Sequence, residues 1–263
     1  MDLGLKGKRA LVMGASKGLG RSIADALAAE GAALVVSGRD QASLDKVAAE
    51  LKAAGAASAQ GVVADVAQGA QMDALADAAV AAMGGVDILV LNHGGPPPCI
   101  ASEITDAALH TWFEQIVASP IRIANRLIPE MRKRGWGRVL VVGSSGMQHP
   151  IPNLALSNTL RSAIWGWLKT YSGEAAKDGV TMNIIAPGSI MTDRITQNAE
   201  SRAAKAGGTV EGELAKMAQE IPAGRIGTPD EFGPMGAFLL SEQAGYITGS
   251  MIRVDGGRVR SML

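Results

Sequence analysis

The sequence predicts an α/β fold: one doubly wound (Rossmann) domain in which helices cover both faces of a parallel seven-stranded sheet. Short apolar runs alternate with longer segments of helical periodicity along the 263 residues. Such alternation is typical of right-handed βαβ units, which place all strands parallel. The first apolar run leads directly into glycines and then a helix, as in nucleotide-binding units. A chain of this length can bury its own core, so we expect a single domain over residues 1–263.

The predicted elements follow from apolar runs, helical stripes and glycine breaks. Strands are expected at 10–13, 33–37, 61–64, 86–91, 138–142, 181–185 and 250–254, and helices at 21–30, 41–54, 70–83, 106–134, 154–177 and 229–241. Segment 190–223 differs from the rest because it is polar and helix-forming and contains two adjacent glycines. We expect this segment to be a mobile lid over a site.

The turn after the first strand predicts an anion-binding site. It reads Gly14-Ala-Ser-Lys-Gly18-Leu-Gly20, a spacing that differs from the common G-x-G-x-x-G. Glycines allow a pyrophosphate to approach the backbone, and the N-terminus of the following helix attracts negative charge. The residues expected to bind a dinucleotide here are Gly14, Ser16, Lys17, Gly18, Leu19 and Gly20.

The residue that follows the second strand bears on which dinucleotide is bound. An acidic side chain there would bind a ribose hydroxyl, whereas Arg39 suits a ribose 2′-phosphate. Lys17 adds a second positive charge in the glycine turn. Together they favour NADP(H) over NAD(H), although Asp40 leaves a mixed preference open. Surface solubility is the alternative explanation of both cations.

Composition narrows the classes of partner. The formal net charge is zero and no extended basic block occurs, which argues against nucleic-acid binding. No stretch of about twenty apolar residues is present, so no membrane span is expected. Cys99 is the only cysteine, which excludes an internal disulfide and suits a reducing compartment. We therefore expect a cytoplasmic protein with a small-molecule substrate and no metal.

Polar loops follow most of the predicted strands, and in a doubly wound sheet these loops share one edge. Each loop alone is explained by ordinary turn chemistry, but six at one edge favour a binding site. The loops comprise residues 14–20, Arg39, Asp65, 92–98, 144–149 and 187–192.

Motifs along nearly the whole chain are similar to those of the short-chain dehydrogenase/reductase family. They are Gly14-x-x-x-Gly18-x-Gly20, Asp65-Val66, Asn92-His-Gly-Gly95, Ser144, Asn183, Pro187-Gly188, Arg225-Ile-Gly-x-Pro229 and Val254-Asp-Gly-Gly257. The chain most resembles the 3-oxoacyl-(acyl-carrier-protein) reductase-like group. The resemblance implies NADP(H), hydride transfer involving a carbonyl or alcohol, and a homotetramer or homodimer. It also implies cofactor contacts from Asp65, Val66, Asn92, Gly94, Arg161, Pro187, Gly188, Ile190 and Thr192.

The catalytic motif departs from the family pattern. The family has tyrosine thirteen residues after its serine and lysine four further on, whereas counting from Ser144 gives Ser157 and Arg161. The family's supporting asparagine aligns best with Ser119. Arginine keeps the charge of lysine and can bind ribose hydroxyls but does not titrate, and serine is a poor acid. Ser144, Ser157 and Arg161 are nevertheless the expected catalytic residues.

Histidines offer a substitute proton donor because their ordinary pKa lies near neutrality. His149, in the loop after Ser144, is the first candidate; a place in the pocket wall is the alternative. His93 is a weaker candidate. Arg194 could hold an anionic substrate, although a surface charge is the favoured interpretation.

Three functions remain compatible with the sequence. An NADP(H)-dependent oxidoreductase, acting on a 3-oxoacyl-like compound or another small ketone, is favoured because the cofactor motifs are complete and a lid suggests turnover. An NADP(H)-binding protein with little dehydrogenase activity is the second. A non-redox lyase or isomerase on the same fold is the third.

Overall fold

The computed structural model describes residues 1–262 and contains a seven-stranded sheet in which all neighbouring strands are parallel. The strands are β1 (Arg9–Val12), β2 (Ala33–Gly38), β3 (Ser58–Val63), β4 (Ile88–Leu91), β5 (Gly137–Val142), β6 (Val180–Pro187) and β7 (Met251–Val254). Their order across the sheet is β3-β2-β1-β4-β5-β6-β7. This confirms the predicted fold class. Residue 263, included in the predicted domain, lies outside the described residues.

Helices cover both faces of the sheet. They are α1 (Gly18–Ala29), α2 (Gln41–Ala53), α3 (Gly69–Met83), α4 (Asp106–Phe113), α5 (Ser119–Arg134), α6 (Ala155–Ala175), α7 (Asp193–Ala206), α8 (Val210–Gln219) and α9 (Pro229–Leu239). Because side chains alternate along a strand, β1 contributes to two cores. Val12 packs with α1 and α9, and Leu11 packs with α3 and α5. The site is therefore built on strands that are buried on both faces.

The strand order reverses direction at β1, whose neighbours are β2 on one side and β4 on the other. A crevice forms at such a switch point, beyond the carboxyl ends of the strands. Asn92 bridges it, since its Nδ2 donates to the carbonyl oxygens of Met13 (3.2 Å) and Gly14 (3.0 Å). The loops after β1 and β4 are thus held together at the predicted edge.

Most element ends are shifted by one to three residues from their sequence predictions, and two elements need an explanation. β3 begins at Ser58 rather than residue 61, because exposed side chains of this edge strand, such as Gln60, interrupt the apolar run. The helix expected over 106–134 is divided by a π-helical turn at Glu114–Ala118. Ser119 begins α5 fully buried, and its hydroxyl donates to the Val66 carbonyl (2.7 Å) and contacts Glu114 (3.0 Å).

The segment expected to act as a lid contains α7 and α8. α7 ends before Gly207, whose φ of +65° is the left-handed conformation common at helix ends, and α8 begins at Val210. Its mobility stays a prediction.

Residues 1–262 include no helix that is both long and apolar enough to cross a membrane.

Candidate functional site

The glycine turn after β1 requires glycine at two positions for different reasons. Gly14 has a φ of +58°, a conformation that other residues rarely adopt. A Cβ on Gly20 would lie 2.5 Å from both Asn92 Nδ2 and the Gly14 carbonyl oxygen. The turn can therefore keep its shape and its contact with β4 only without side chains at these two positions.

The start of α1 leaves backbone donors available for an anion. Lys17, which precedes the helix, forms no side-chain cap, and the first turn contains no acidic residue. The first N–H groups of a helix have no partner within the helix. A negatively charged group next to Gly18 would be attracted by these donors and by the helix dipole.

The end of β2 adjoins the glycine turn. The Ala15 N–H donates to the Ser37 carbonyl (3.0 Å), and Ser16 Oγ would lie 3.4 Å from a Cβ on Gly38. Arg39 follows as an exposed side chain with no ion-pair partner in residues 1–262. The structure thus brings Ser16 and Arg39 to the same loop edge.

The side chain of Asp40 caps the N-terminus of α2. Its carboxylate accepts from the backbone N–H (2.8 Å) and hydroxyl (2.5 Å) of Ser43, and these bonds lower the pKa of Asp40. Asp40 is therefore used locally, and Arg39 is the unpaired charge at this position.

Lys17 is paired with the first residue of α7. Its Nζ lies 2.7 Å from Asp193 Oδ2, and the bond lowers the pKa of that carboxyl. The structure therefore spans the cleft entrance with an ion pair between two exposed side chains, which sequence reasoning missed because the residues are far apart in the chain.

The loop after β3 is fixed by its own hydrogen bonds. Asp65 Oδ1 accepts from the Ala67 N–H (3.0 Å), and the Asp65 N–H donates to the Gln71 side chain (2.8 Å). Val66 is half-buried, and Ser119 holds its carbonyl. Asp65 and Val66 are thus held at the same sheet edge as the glycine turn.

The loop after β6 forms the opposite wall of the cleft. The Gly188 N–H donates to the Val254 carbonyl (2.9 Å), and a Cβ on Gly188 would lie 2.6 Å from the Cα of Asp255. Thr192 reaches the glycine turn, since its Cγ2 would lie 3.7 Å from a Cβ on Gly18. The remaining predicted residues of this loop are Pro187, at the end of β6, and Ile190, which is buried.

The expected catalytic residues meet at the end of β5. Ser144 is half-buried, and its Oγ accepts from the Gly146 N–H (3.1 Å). Arg161 is buried on α6, and its Nη1 donates to the carbonyl oxygens of Val142 (3.0 Å) and Gly143 (3.4 Å). Ser157 lies one helical turn before Arg161, is also buried, and forms no side-chain hydrogen bond with residues 1–262.

Arg161 and His93 differ in charge at neutral pH, and this difference limits what each can do in a reaction. Burial, followed by the positive charge of Arg194, lowers the pKa of Arg161 to about 10, so the guanidinium stays protonated at neutral pH. Burial, followed by the charge of Arg161, lowers the pKa of His93 to about 3. The His93 Nδ1–H donates to the Gly94 carbonyl (2.5 Å), so the neutral ring presents Nε2 as an acceptor. This argues against His93 as an acid.

His149 is exposed in the loop after Ser144. Its backbone N–H donates to the Ser145 carbonyl (3.0 Å), and its ring makes no hydrogen bond with residues 1–262. The neighbouring Gln148 is a residue that sequence reasoning missed: its Oε1 is buried with no hydrogen-bond partner in this part of the chain. A buried acceptor without a donor is expected to bind water or a ligand.

Two charged or polar residues take positions that the sequence did not indicate. Arg194 is exposed, as expected of a surface charge, but its side chain also reaches the loop after β4 and donates to the carbonyls of Gly95 (3.3 Å) and Pro96 (3.2 Å). Asn183, part of a recognised motif, joins β6 to the segment before β7 through Ile247 (2.7 Å) and Ser250 (3.1 Å). Asn183 is therefore structural.

No group of three or more histidine, cysteine, aspartate or glutamate side chains is placed to bind a metal within residues 1–262.

Comparisons with known proteins agree with this geometry. Residues 14–258 match a family described as Enoyl-(Acyl carrier protein) reductase. The chain is 35% identical over 256 residues to dehydrogenase/reductase SDR family member 4 of Sus scrofa, covering 96% of this chain and 88% of that protein. It is 31% identical over 255 residues to the 3-oxoacyl-[acyl-carrier-protein] reductase FabG of Escherichia coli (strain K12), covering 97% and 98%. L-sorbose reductase from Gluconobacter frateurii, solved with NADPH and L-sorbose, superimposes with a TM-score of 0.95 at 33% identity, covering 100% of each chain.

Proposed function

The chain belongs to the short-chain dehydrogenase/reductase family of carbonyl oxidoreductases, and we propose that it uses NADP(H) to reduce a small ketone or 3-oxoacyl compound, or to oxidise the corresponding alcohol. The observation that carries the proposal is a cleft that fits a phosphorylated dinucleotide. The glycine turn leaves backbone donors bare, and the unpaired Arg39 lies beside Ser16 at the end of β2.

The residues present fit NADP(H) better than NAD(H). The start of α1, with no side-chain cap and no acidic residue in its first turn, suits a pyrophosphate. Arg39 can form a charge-assisted pair with a 2′-phosphate, whereas Asp40 uses its Oδ1 to cap α2 through Ser43. The solved L-sorbose reductase contains NADPH, which supports the same preference here.

We propose that the loops of the cleft hold the cofactor along its length. Gly14, Ser16, Lys17, Gly18, Leu19 and Gly20 would hold the phosphates, with Arg39 at the 2′-phosphate, Asp65 and Val66 at the adenine, and Asn92, Gly94, Arg161, Pro187, Gly188, Ile190 and Thr192 at the nicotinamide half. Lys17 would first have to leave Asp193.

In the proposed mechanism the chain activates the carbonyl oxygen. NADPH, when held by the loops of the cleft, would supply hydride for the carbonyl carbon. Ser144 and Ser157 donate hydrogen bonds to the oxygen, and the fixed charge of Arg161 stabilises the negative charge that develops there. His149 supplies the proton, since Arg161 does not titrate at neutral pH and His93 is neutral.

The proposed tetrad is therefore atypical. Ser157 and Arg161 replace the tyrosine and lysine of the family pattern, and Ser119 stands in place of its asparagine. The Ser119 hydroxyl is directed to Val66 and Glu114, so we assign it to holding the α5 start rather than to the reaction.

One observation favours a second candidate, an NADP(H)-binding protein with little turnover. The buried groups nearest the reaction, Ser157, Arg161 and His93, include no acid that titrates near neutrality. In this case the cleft would bind cofactor and His149 would have no function. The homotetramer or homodimer, the cytoplasmic location and the single domain with its lid stay predictions.

The test is cofactor binding followed by a carbonyl panel. Titration calorimetry should give tighter binding of NADPH than of NADH, and Arg39→Ala should narrow the difference by about tenfold because a charged hydrogen bond is lost. Lys46→Ala, which removes an exposed charge on α2, is the matched control. Equal affinities in the unmodified protein would contradict the NADP(H) assignment.

The panel decides between the two candidates. NADPH absorbance is followed with ketones and 3-oxoacyl thioesters, and NADP⁺ reduction with the matching alcohols. Turnover of any of them supports the oxidoreductase. Tight NADPH binding with no turnover would favour the binding protein.

A further inference from the structure

Two arginines at the reaction end of the cleft have no acidic partner. Arg161 and Arg194 form hydrogen bonds only with backbone carbonyls in residues 1–262. Other arginines of the described chain, such as Arg9 and Arg132, are paired with aspartates. The two guanidinium groups lie at the carboxyl ends of neighbouring strands: Arg161 bonds to the end of β5 and Arg194 to the loop after β4, and the charge of Arg194 lowers the pKa of Arg161. Like charges placed together without an anion destabilise a folded protein, so this arrangement needs an explanation.

Arg194 makes hydrogen bonds that a ligand could replace. It extends from α7 to the loop after β4, where its nitrogens lie 3.3 Å and 3.2 Å from the oxygens of Gly95 and Pro96. These contacts are long, and their acceptors are neutral. A carboxylate would make shorter and stronger bonds to the same fork, at about 2.7–2.9 Å. A Cβ at Gly95 would lie 3.2 Å from both Nη atoms, so a side chain there would displace the Arg194 head group slightly.

Arg161 also has donors to spare. Only Nη1 is bonded, to the carbonyls of Val142 and Gly143, and the other nitrogens have no partner in residues 1–262. Within residues 1–262 neither guanidinium has a carboxylate partner: His93 is neutral, and the carboxylate of Asp193 is paired with Lys17. The strongest acceptor that the pair can meet must therefore come from a ligand.

We infer that Arg161 and Arg194 together bind a carboxylate of the substrate, so that the substrate is an oxo acid or the corresponding hydroxy acid. The inference rests on the proposed function for the carbonyl and adds the anionic group. A planar guanidinium pairs with a carboxylate through two parallel hydrogen bonds, which suits both fixed forks. An inorganic or ester phosphate is the competing anion.

The experiment measures binding separately from turnover. The protein is saturated with NADP⁺ and titrated by calorimetry with acetoacetate, levulinate and pyruvate, each compared with its methyl ester, and with inorganic phosphate. At least one acid should bind about tenfold or more tightly than its ester, the range expected for a charged hydrogen bond. Equal binding of every acid and ester, or tighter binding of phosphate, would overturn the inference.

Variants locate the effect. Arg194→Gln should weaken binding of that acid about tenfold and leave its ester within twofold. Arg202→Gln removes an exposed charge from the same helix and should leave both affinities unchanged. If Arg194 only fastened α7 to the Gly95 loop, Arg194→Gln would instead weaken NADPH, acid and ester alike. That result, or an equal loss in Arg202→Gln, would refute the inference.

Two variants test Arg161, one that keeps its positive charge and one that removes it. Arg161→Lys keeps a positive charge and should retain a preference for the acid, whereas Arg161→Met should abolish it. Acid binding without turnover of any compound would sustain this inference and contradict the proposed oxidoreductase. Equal turnover of acids and esters would support the proposed oxidoreductase and contradict the inference of a carboxylate site.

Discussion

The two ends of β5 each hold a buried arginine, and the two are used differently. At the amino end, Arg138 donates to the carbonyls of Ser241 (2.9 Å), Gly137 (2.9 Å) and Gly179 (3.3 Å), and it stacks 4.4 Å from the centre of the Trp136 ring. At the carboxyl end, only one nitrogen of Arg161 is bonded. A buried guanidinium whose donors are used joins parts of the fold, and one whose donors remain free is available to a ligand.

The neighbours of the two arginines lead to the same distinction. Arg138 donates to Ser241, which follows α9, and to Gly179, which precedes β6. None of the predicted site residues is among its hydrogen-bond partners. Arg161 donates to the carbonyl of Gly143, the residue before Ser144, and its charge lowers the pKa of His93. Both arginines are buried, so burial does not distinguish them; they differ in that two nitrogens of Arg138 are hydrogen-bonded and only one of Arg161 is.

The largest expected effect is at the carboxyl end, in the proton donor. His149→Phe should lower kcat by about 10²–10⁴, the usual contribution of a general acid. NADPH affinity, measured by fluorescence, should be unchanged because His149 is exposed and its ring contacts no described residue through a hydrogen bond. A kcat equal to that of the unmodified protein would exclude His149 as the proton donor and would leave water as the source of the proton.

Arg161→Met should lower kcat by about 10²–10³, the loss typical for removing one donor that stabilises a developing oxyanion. Arg161→Lys should recover part of it. The free energy of unfolding from urea titration should fall by about 1–3 kcal/mol, because the buried carbonyls of Val142 and Gly143 lose a donor. A large loss of stability with normal kcat would make Arg161 a second structural arginine.

Arg138→Met is the reciprocal variant. It leaves the buried carbonyls of Ser241 and Gly137 without their donor, which should reduce the free energy of unfolding by about 1–3 kcal/mol. NADPH affinity and kcat of the folded fraction should be retained. If Arg138→Met altered kcat more than stability, the contrast between the two ends would not hold.

The last expected effect is a dependence of the free energy of unfolding on pH. The pKa of His93 is about 3 in the folded chain and 6.5 ordinarily. The unfolded chain therefore takes up a proton before the folded one, and stability present above pH 6.5 is lost as the pH falls toward 3. His93→Gln should make urea midpoints between pH 7 and pH 4 less pH-dependent, while His110→Gln, an exposed control, should not. An unchanged slope in His93→Gln would show that His93 is not held neutral.

The fold was predictable because backbone conformation leaves regular marks in a sequence. Apolar runs located the buried strands, and the spacing of Gly14, Gly18 and Gly20 located the turn after β1. Edge strand β3 was less clear because its exposed positions are polar. The π-helical turn before Ser119 has no distinct residue pattern, since its helical residues look like those of any helix.

The site was only partly predictable because a side chain's partner is chosen in three dimensions. The sequence identified Ser157 and Arg161 by counting, and the structure added that they line one face of α6. It did not indicate that Asn183 would be used within the sheet or that Arg194 would reach Gly95. These contacts join residues that are distant in the chain, and no local periodicity records them.

The pair between Lys17 and Asp193 has a kinetic consequence. Both side chains are exposed, so their attraction is weakened by salt and the contact can break on the picosecond-to-nanosecond timescale of surface side chains. Parting them needs no unfolding of α1 or α7. The association rate of a dinucleotide should therefore be governed by its diffusional encounter and by any slower displacement of α7, and this first contact should not limit it.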